Sequence, residues 1–225
     1  MFQAIFETVF DACYLTGVIL AGLILVKRGA ANPLIRKFGW MAVLLGAGDA
    51  FHLVPRVYAL WTTGIEANAA ALGVGKLITS ITMTAFYLIL YYIWRERYEI
   101  KGRKGLTVTM WALTAARVAL SALPENEWLS ADPPLFWGIL RNIPFALMGI
   151  LIIWLFWREV SRTHDPVFRF MPLAVILSFG FYVPVVFWGD VIPAIGMLMV
   201  PKTLAYVWIV WMGWKLSRSS DAQPR

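Results

Sequence analysis

The sequence predicts an all-α integral membrane protein with seven transmembrane helices. Of its 225 residues, 60% are apolar and only 15% are charged, and the mean hydropathy is +0.69. Soluble domains usually contain about 45 to 50% apolar residues. The apolar residues also fall into seven runs of roughly 20, which is the length a helix needs to cross a bilayer.

Short loops separate the seven runs, and the loop between the fourth and fifth is rich in proline and acidic residues. Such a composition marks a true loop. We expect one domain over residues 1–216, followed by a short polar cytoplasmic tail at 217–225. The predicted spans are 8–26, 38–61, 69–94, 106–123, 134–157, 168–188 and 194–216.

The charges of the loops alternate along the chain. In a seven-span arrangement, fifteen of the twenty Lys and Arg residues fall at one end of the spans. They are Lys27, Arg28, Arg36, Lys37, Arg95, Arg97, Lys101, Arg103, Lys104, Arg158, Arg162, Arg169, Lys215, Arg218 and Arg225. The loops at the other end contain Glu66, Glu125, Glu127, Asp132 and Asp190 instead. By the positive-inside rule, the N-terminus is expected outside and the C-terminus in the cytoplasm. With no mitochondrial presequence in view, we expect a multi-pass protein of the plasma (inner) membrane.

Five basic residues remain inside the spans, where a charge costs about 2.5 to 3.5 kcal/mol at mid-bilayer on insertion scales. They are Arg56, Lys76, Arg117, Arg141 and Lys202. Such residues are expected to face the bundle interior or water and to find partners. The nearest acidic candidates are Glu7, Asp11 and Asp49.

One stretch, 44–58, combines an acid, an imidazole and a guanidinium. Asp49, His52 and Arg56 are spaced i, i+3 and i+7, so a helix places them on one face. At about 1.5 Å per residue, Asp49 and Arg117 fall near mid-membrane, and the other basic residues fall between there and the outer face. We therefore expect a polar, net basic cavity that opens outward. Its candidate ligand-binding residues are Asp49, His52, Arg56, Lys76, Arg117, Arg141, Asn142, Tyr182, Lys202 and Tyr206.

Plainer interpretations stand beside this one. Arg56, Lys76 and Arg141 lie near span ends and can extend their charges to the interface without any cavity. Arg117 and Lys202 can belong to structural ion pairs. Asp49 and His52 can simply tie the second helix to a neighbour.

Residues in the second and third spans weakly match residues in the sixth and seventh. Leu53-Val54-Pro55 aligns with Tyr182-Val183-Pro184, and Gly75-Lys76 aligns with Pro201-Lys202. This spacing predicts a 3+1+3 repeat, similar in layout to SWEET-type carriers. The proline-glutamine signature of the related PQ-loop families is absent from the sequence.

Composition also argues against several classes of protein. The net charge of +7 arises largely from loop residues beside apolar spans, so a nucleic-acid partner is not expected. One cysteine and two histidines are too few for a zinc site of the seven-span hydrolase type. A retinal protein would need a carboxylate in the third span, which has none. We expect neither a metal nor a cofactor.

Three functions remain. The first is a small carrier or receptor for an anionic or zwitterionic solute, with Arg117, Arg141 and Lys202 binding the anion and Asp49 with His52 providing proton linkage. The second is an intramembrane enzyme acting on a lipid headgroup or isoprenoid, with Asp49 or Asp11 as general acid or base beside His52. The third is a structural membrane subunit. The expected partners are the lipid bilayer and a small anionic solute or lipid headgroup, and a homo-oligomer is left open.

Overall fold

Seven long α-helices make up the bundle in the computed structural model, which describes residues 1–189 and 192–221. All seven are long and apolar enough to cross a membrane. They are α1 (Phe2–Arg28), α2 (Pro33–Trp61), α3 (Ala69–Arg97), α4 (Lys104–Ala122), α5 (Leu135–Thr163), α6 (Met171–Trp188) and α7 (Met199–Asp221). The predicted all-helical class and the number of helices are confirmed. The orientation in the membrane and the 3+1+3 repeat stay predictions.

Several helix ends differ from the predicted spans, and α2 begins five residues earlier, at Pro33. α1 begins six residues earlier than the predicted span, and α5 continues to Thr163. The seventh span was predicted from 194, whereas Pro193–Leu198 forms a 3-10 helix and α7 begins at Met199. Residues 217–221 of the predicted tail continue α7. Asp190 and Arg225, which were used in sorting the loop charges, lie outside the described residues.

The turn between α1 and α2 shows why the chain reverses at this point. Lys27 and Arg28 occupy the last turn of α1, where cations interact favourably with the helix dipole. The Asn32 side chain then accepts hydrogen bonds from the amides of Leu34 (3.1 Å) and Ile35 (3.3 Å). Pro33, at the first position of α2, needs no hydrogen bond for its nitrogen. The local sequence thus stops one helix and caps the next.

Large apolar side chains cover much of the outer surface of the bundle. They occur in the middle of the helices, where a soluble protein would present polar groups. Among them are Leu20, Leu23, Trp40, Val108, Trp111, Ile143, Leu147, Ile150, Trp154, Leu204 and Trp211. A belt of this kind fits acyl chains as its surroundings, which agrees with a multi-pass membrane protein.

Small residues allow α1 and α2 to pack closely. A Cβ atom added at Gly22 would lie 2.8 Å from the Val43 nitrogen and 2.9 Å from the Gly39 carbonyl oxygen. One added at Gly39 would lie 2.5 Å from the Val26 nitrogen. Close backbone approach at small residues is a general means of helix association in membranes. These glycines therefore set the distance between α1 and α2.

Replacing Gly22 with alanine is expected to lower stability by about 1 to 3 kcal/mol, because the new methyl group would push the two backbones apart. Thermal unfolding of the purified protein in detergent would measure the loss. Gly17→Ala is the matched control on the same helix, since a Cβ there meets no atom within 4 Å. Its effect should stay within about 1 kcal/mol. Equal effects of the two substitutions would contradict this account of the interface.

The end of the bundle that carries the basic residues is filled by aromatic packing. The Phe168 ring lies 5.6 Å from that of Phe38 and 6.1 Å from that of Phe156. The Trp94 indole is buried and donates a hydrogen bond to the Leu155 carbonyl oxygen (3.2 Å). Aromatic and apolar contacts fill much of this half of the interior.

Candidate functional site

Each of the seven helices contributes at least one polar side chain to a layer inside the bundle. The layer lies between the aromatic core and the end that carries the acidic loops. Its members are Tyr14 (α1), Asp49 (α2), Tyr87 (α3), Arg117 (α4), Asn142 (α5), Ser178 and Tyr182 (α6), and Lys202 and Tyr206 (α7). We call this set the polar layer.

On one side of the polar layer, α1 meets α2 through a hydrogen bond between side chains. The Tyr14 hydroxyl donates to Asp49 Oδ2 at 2.6 Å. Asp49 is partly accessible, whereas Tyr14 is buried. Asp49 also interacts electrostatically with Lys202 of α7. The acid predicted from the sequence to line the cavity is therefore held between α1 and α7.

Lys202 is buried, with 9% of its surface exposed, and it has no acidic partner in contact. Its Nζ lies 4.3 Å from the centre of the Tyr182 ring and 5.9 Å from that of Tyr206. Within residues 1–189 and 192–221 it makes no hydrogen bond, and no carboxylate oxygen lies within 4.0 Å. An ammonium group usually attracts such partners in a low-dielectric interior. The faces of two aromatic rings are what stabilise it here.

Arg117 is a second buried cation, with 2% exposed. One terminal nitrogen, Nη1, donates to the Arg141 carbonyl oxygen (2.6 Å) and to Asn142 Oδ1 (2.7 Å). The guanidinium stacks 4.3 Å from the centre of the Phe145 ring. Its Nε is buried without a partner. No carboxylate of the described chain pairs with it, so its charge is balanced only by neutral acceptors and a ring.

Pro144 lies inside α5, three residues after Arg141. A proline within a helix removes one backbone hydrogen bond and bends the turn before it. This disturbed turn is the one that presents the Arg141 carbonyl oxygen to Arg117. The proline thus belongs to the local structure that accommodates a guanidinium inside the bundle.

Tyr182 links the two buried cations. Its hydroxyl donates to Asn142 Oδ1 (3.2 Å), the same oxygen that accepts from Arg117, while its ring faces Lys202. A second hydroxyl cluster joins Tyr87 to Ser178 (3.2 Å) and to Tyr206 (3.5 Å). The two clusters connect α3 to α7 around Lys202.

Arg56, which was predicted to bind a ligand, contacts α1 and, within the described residues, forms no ion pair with the polar layer. Arg56 forms a bidentate ion pair with Glu7, with Nε to Oε2 at 2.8 Å and Nη2 to Oε1 at 3.2 Å. Asp11 is buried one turn after Glu7 on α1, with 7% exposed, and interacts electrostatically with both Arg56 and Asp49. Arg56 therefore ties α1 to α2 through Glu7.

Within the described residues, neither His52 nor Lys76 is hydrogen-bonded to a member of the polar layer, although His52 interacts electrostatically with Lys202. His52 faces α3, with the Leu72 backbone and Lys76 as neighbours, and its Nδ1 is buried without a hydrogen bond. Its charged neighbours are cations, so the expected partnership of His52 with Asp49 is not formed. Lys76 is exposed, in agreement with the alternative that it extends to the interface.

Arg141 is held by the loop between α4 and α5. It donates to Asn126 Oδ1 (2.7 Å), and its guanidinium lies 4.1 Å from the centre of a Trp128 ring. Asn126 is fully buried and donates to the carbonyl oxygens of Leu120 and Leu123. The side chain of Arg141 thus fixes this loop, while its backbone carbonyl serves Arg117.

Sequence reasoning missed four residues that organise this region: Tyr14, Tyr87, Asn126 and Trp128. Tyr14 could have been found from its position three residues after Asp11, on the same face of an apolar helix. Tyr87 lies in a run of aromatic residues that looks like ordinary core. Nothing in the spacing of Asn126 and Trp128 distinguishes them from exposed loop residues.

Two surface clefts lie at the opposite, basic end of the bundle. One of about 320 Å³ is lined by residues that include Arg97, Arg162 and Asp165, and one of about 250 Å³ lies between α5 and α6. In the part of the chain that the structure describes, no three His, Cys, Asp or Glu side chains cluster as metal ligands. Comparison of the chain with protein-family models, curated proteins and solved structures found no match.

Proposed function

We propose that this protein is a small carrier or receptor that binds an anionic or zwitterionic solute in the polar layer. The observation that supports this best is the pair of buried cations, Arg117 and Lys202, neither of which is neutralised by a carboxylate in contact with it. An anion bound between them would offset a desolvation cost that the protein alone leaves uncompensated.

The donors suit a carboxylate or phosphate group. Arg117 has an unused Nε–H, and Lys202 has an ammonium group with no hydrogen bond. Charge-assisted hydrogen bonds from such groups are roughly twice as strong as neutral ones. The Tyr182 hydroxyl donates to Asn142, which also accepts from Arg117, and the Tyr182 ring faces Lys202. A ligand between the two cations would therefore touch Tyr182 as well.

Asp49 would couple binding to protons. It faces Tyr14 and Asp11 of α1, and Lys202 and Tyr206 of α7. When Asp49 is charged, it partly neutralises Lys202. When Asp49 gains a proton, the positive charge of Lys202 becomes available to an anion, so anion and proton would bind together. We assign this role to Asp49 with Tyr14, because Asp49 is hydrogen-bonded to Tyr14 and, within the described residues, not to His52.

The charge pattern of the loops supports a site that opens to the outside. With the N-terminus outside and the C-terminus in the cytoplasm of a plasma membrane, the polar layer belongs to the outer half of the bundle. The aromatic packing around Phe168 and Trp94 would close the cytoplasmic half.

An enzyme acting on a lipid or isoprenoid headgroup is the second candidate. The observation in its favour is the short hydrogen bond from Tyr14 to Asp49 beside a cation, since such a group can accept or donate a proton in a water-poor site. Consumption of a lipid that co-purifies with the protein would distinguish this candidate from a carrier.

Thermal unfolding with a panel of solutes tests the first proposal. We expect at least one of acetate, glutamate and inorganic phosphate to raise the melting temperature of the wild type, and to raise it more at pH 5 than at pH 8. Ligand at a hundred times its Kd stabilises by about 2.7 kcal/mol. Asp49→Asn should remove the difference between the two pH values, because its side chain cannot gain a proton.

Lys76→Gln is the control, since it removes an exposed cation of the same type. It should leave the anion response unchanged, whereas Arg117→Gln should abolish it. An anion response that survives in Arg117→Gln, or one that is equal at pH 5 and pH 8, would contradict the proposal.

A further inference from the structure

A groove runs between the end of α5 and the start of α6, on the surface of the bundle, and none of its lining residues belongs to the polar layer. It has a volume of about 250 Å³. Trp157 and Ser161 line it from α5, Leu173 and Ile176 line it from α6, and Arg169 lies at its end just before α6. Trp157, Leu173 and Ile176 are 62%, 42% and 41% exposed, so the groove is open to the surroundings of the protein.

The groove is positively charged. Arg169 is exposed, makes no ion pair or hydrogen bond within the described residues, and stacks 4.3 Å from the centre of the Phe170 ring. No acidic residue lines the groove. The nearest carboxylate to Arg169 in sequence, Asp165, is buried and already accepts hydrogen bonds from Arg97. Glu159, beside the groove residue Val160, is also buried and accepts a hydrogen bond from Arg162. The guanidinium of Arg169 therefore has donors available for an anion.

The lining changes from polar to apolar along the direction of the membrane normal. Arg169 and Ser161 stand at the helix ends, at the level of the basic loops. Ile176 lies five residues after Met171, the first residue of α6, which is about 7.5 Å deeper at 1.5 Å per residue. Val160 and Leu173 line the groove between these levels. A charged end at the interface and an apolar wall below it match the two ends of a phospholipid.

We propose that this groove is a binding site for an anionic phospholipid of the surrounding leaflet. Arg169 and Ser161 would hold the phosphate, and an acyl chain would lie along Leu173 and Ile176. Arginine recognises phosphate through parallel hydrogen bonds, and basic sites between transmembrane helices commonly bind lipid head groups. Trp157, exposed at the same level, fits the headgroup region, where tryptophan is enriched.

A soluble phosphate compound fits the groove less well. It would use Arg169 and Ser161 but leave the exposed Leu173 and Ile176 side chains uncovered. An acyl chain covers these side chains, so a lipid contacts the whole groove, whereas a free phosphate contacts only its charged end. The apolar wall therefore selects a lipid over a free phosphate.

Native mass spectrometry of the purified protein tests the proposal with lipids of matched acyl chains. We expect the wild type to bind phosphatidylglycerol more tightly than phosphatidylcholine. Arg169→Gln should weaken phosphatidylglycerol binding by about tenfold, the loss expected for one charge-assisted hydrogen bond. It should weaken phosphatidylcholine binding less, because the choline cation already offsets the charge of that lipid's phosphate. Arg158→Gln is the matched control, because Arg158 lies over Trp154 and does not line the groove.

Three results would overturn the proposal: equal affinity of the wild type for the two lipids, unchanged selectivity in Arg169→Gln, and an equal loss in Arg158→Gln. Inorganic phosphate and glycerol phosphate test whether the groove binds a lipid or a soluble phosphate compound. If either of them binds as tightly as the lipid, the acyl chain plays no part in binding. Arg169→Lys keeps the charge and should retain a preference for phosphatidylglycerol. It keeps the test decisive if Arg169→Gln does not fold.

Discussion

Lys202→Met is expected to stabilise the protein without ligand and to abolish its response to anions. The lysine is buried against Tyr182 and Tyr206 with no acid in contact. The free energy lost by desolvating its charge is therefore offset only in part by the two rings. Methionine has a similar length, makes favourable contacts with aromatic rings, and carries no charge. Replacing buried ionic groups by apolar ones of similar volume stabilises proteins by about 1 to 4 kcal/mol in favourable cases. Chemical or thermal unfolding in detergent would measure the gain.

The combination of the two effects is what makes this substitution informative. A residue kept for binding at the expense of stability gives a more stable, inactive protein when it is removed. A residue kept for packing gives a less stable one. Lys76→Met, which changes an exposed lysine, should leave stability within about 0.5 kcal/mol and keep the anion response. Marked destabilisation by Lys202→Met would mean that the lysine is structural and would remove the main support for an anion site.

The second large effect is expected at the basic end of the bundle, where Asp165 connects α3 to the loop before α6. Asp165 is buried and accepts hydrogen bonds from Arg97 Nε (2.8 Å) and Nη2 (3.2 Å). It also accepts from the Tyr98 hydroxyl and from the amides of Val167 and Phe168. Asp165→Asn would turn a charge-assisted bidentate pair into weaker contacts and place an amide beside donors. We expect a loss of about 3 kcal/mol, the lower range for breaking a buried pair, because Arg97 remains partly exposed.

The pKa of Asp165 determines part of the pH dependence of stability. Burial raises the pKa of this carboxyl, but the hydrogen bonds from Arg97 and from the Val167 amide lower it by more, so its pKa lies below the ordinary value. A group with a lowered pKa in the folded state stabilises fully above its unfolded value, about 3.9, and loses this contribution as pH falls through the folded pKa. The wild type and Asp165→Asn should therefore differ most in melting temperature above about pH 5 and converge in stronger acid.

Asp132→Asn is the control for this experiment, because Asp132 is exposed and forms no ion pair within the described residues. It should match the wild type across the pH range. A constant difference between the wild type and Asp165→Asn from neutral to strongly acid pH would show that the charge of Asp165 contributes nothing to the fold.

The five basic residues inside the spans show how far sequence reasoning reached. Their positions and the cost of placing them in a bilayer follow from the sequence, and so does the conclusion that they need partners. Arg56 pairs with Glu7, Arg141 with Asn126, and Lys76 stays exposed. Only Arg117 and Lys202 end up buried without a contacting acid. The sequence cannot separate these outcomes, because they depend on how each helix is rotated about its axis.

The motif at 44–58 shows the same limit on a smaller scale. A helix places Asp49, His52 and Arg56 on one broad face, as predicted. That face is wide enough to touch different neighbours: Asp49 and Arg56 meet α1 through Tyr14 and Glu7, whereas His52 meets α3 near Leu72. Close packing at Gly22 and Gly39, and at Gly75 against the backbone of α2, decides which neighbour each side chain reaches.

By itself, the sequence determined the class of the protein, the seven helices and the alternation of charged loops. These features depend on hydropathy, span length and local capping, which are properties of neighbouring residues along the chain. The tertiary structure alone decided that Tyr14, Asp49, Lys202, Tyr182 and Arg117 lie in one layer. They come from five helices, and their meeting depends on helix rotation and approach, which long-range packing controls.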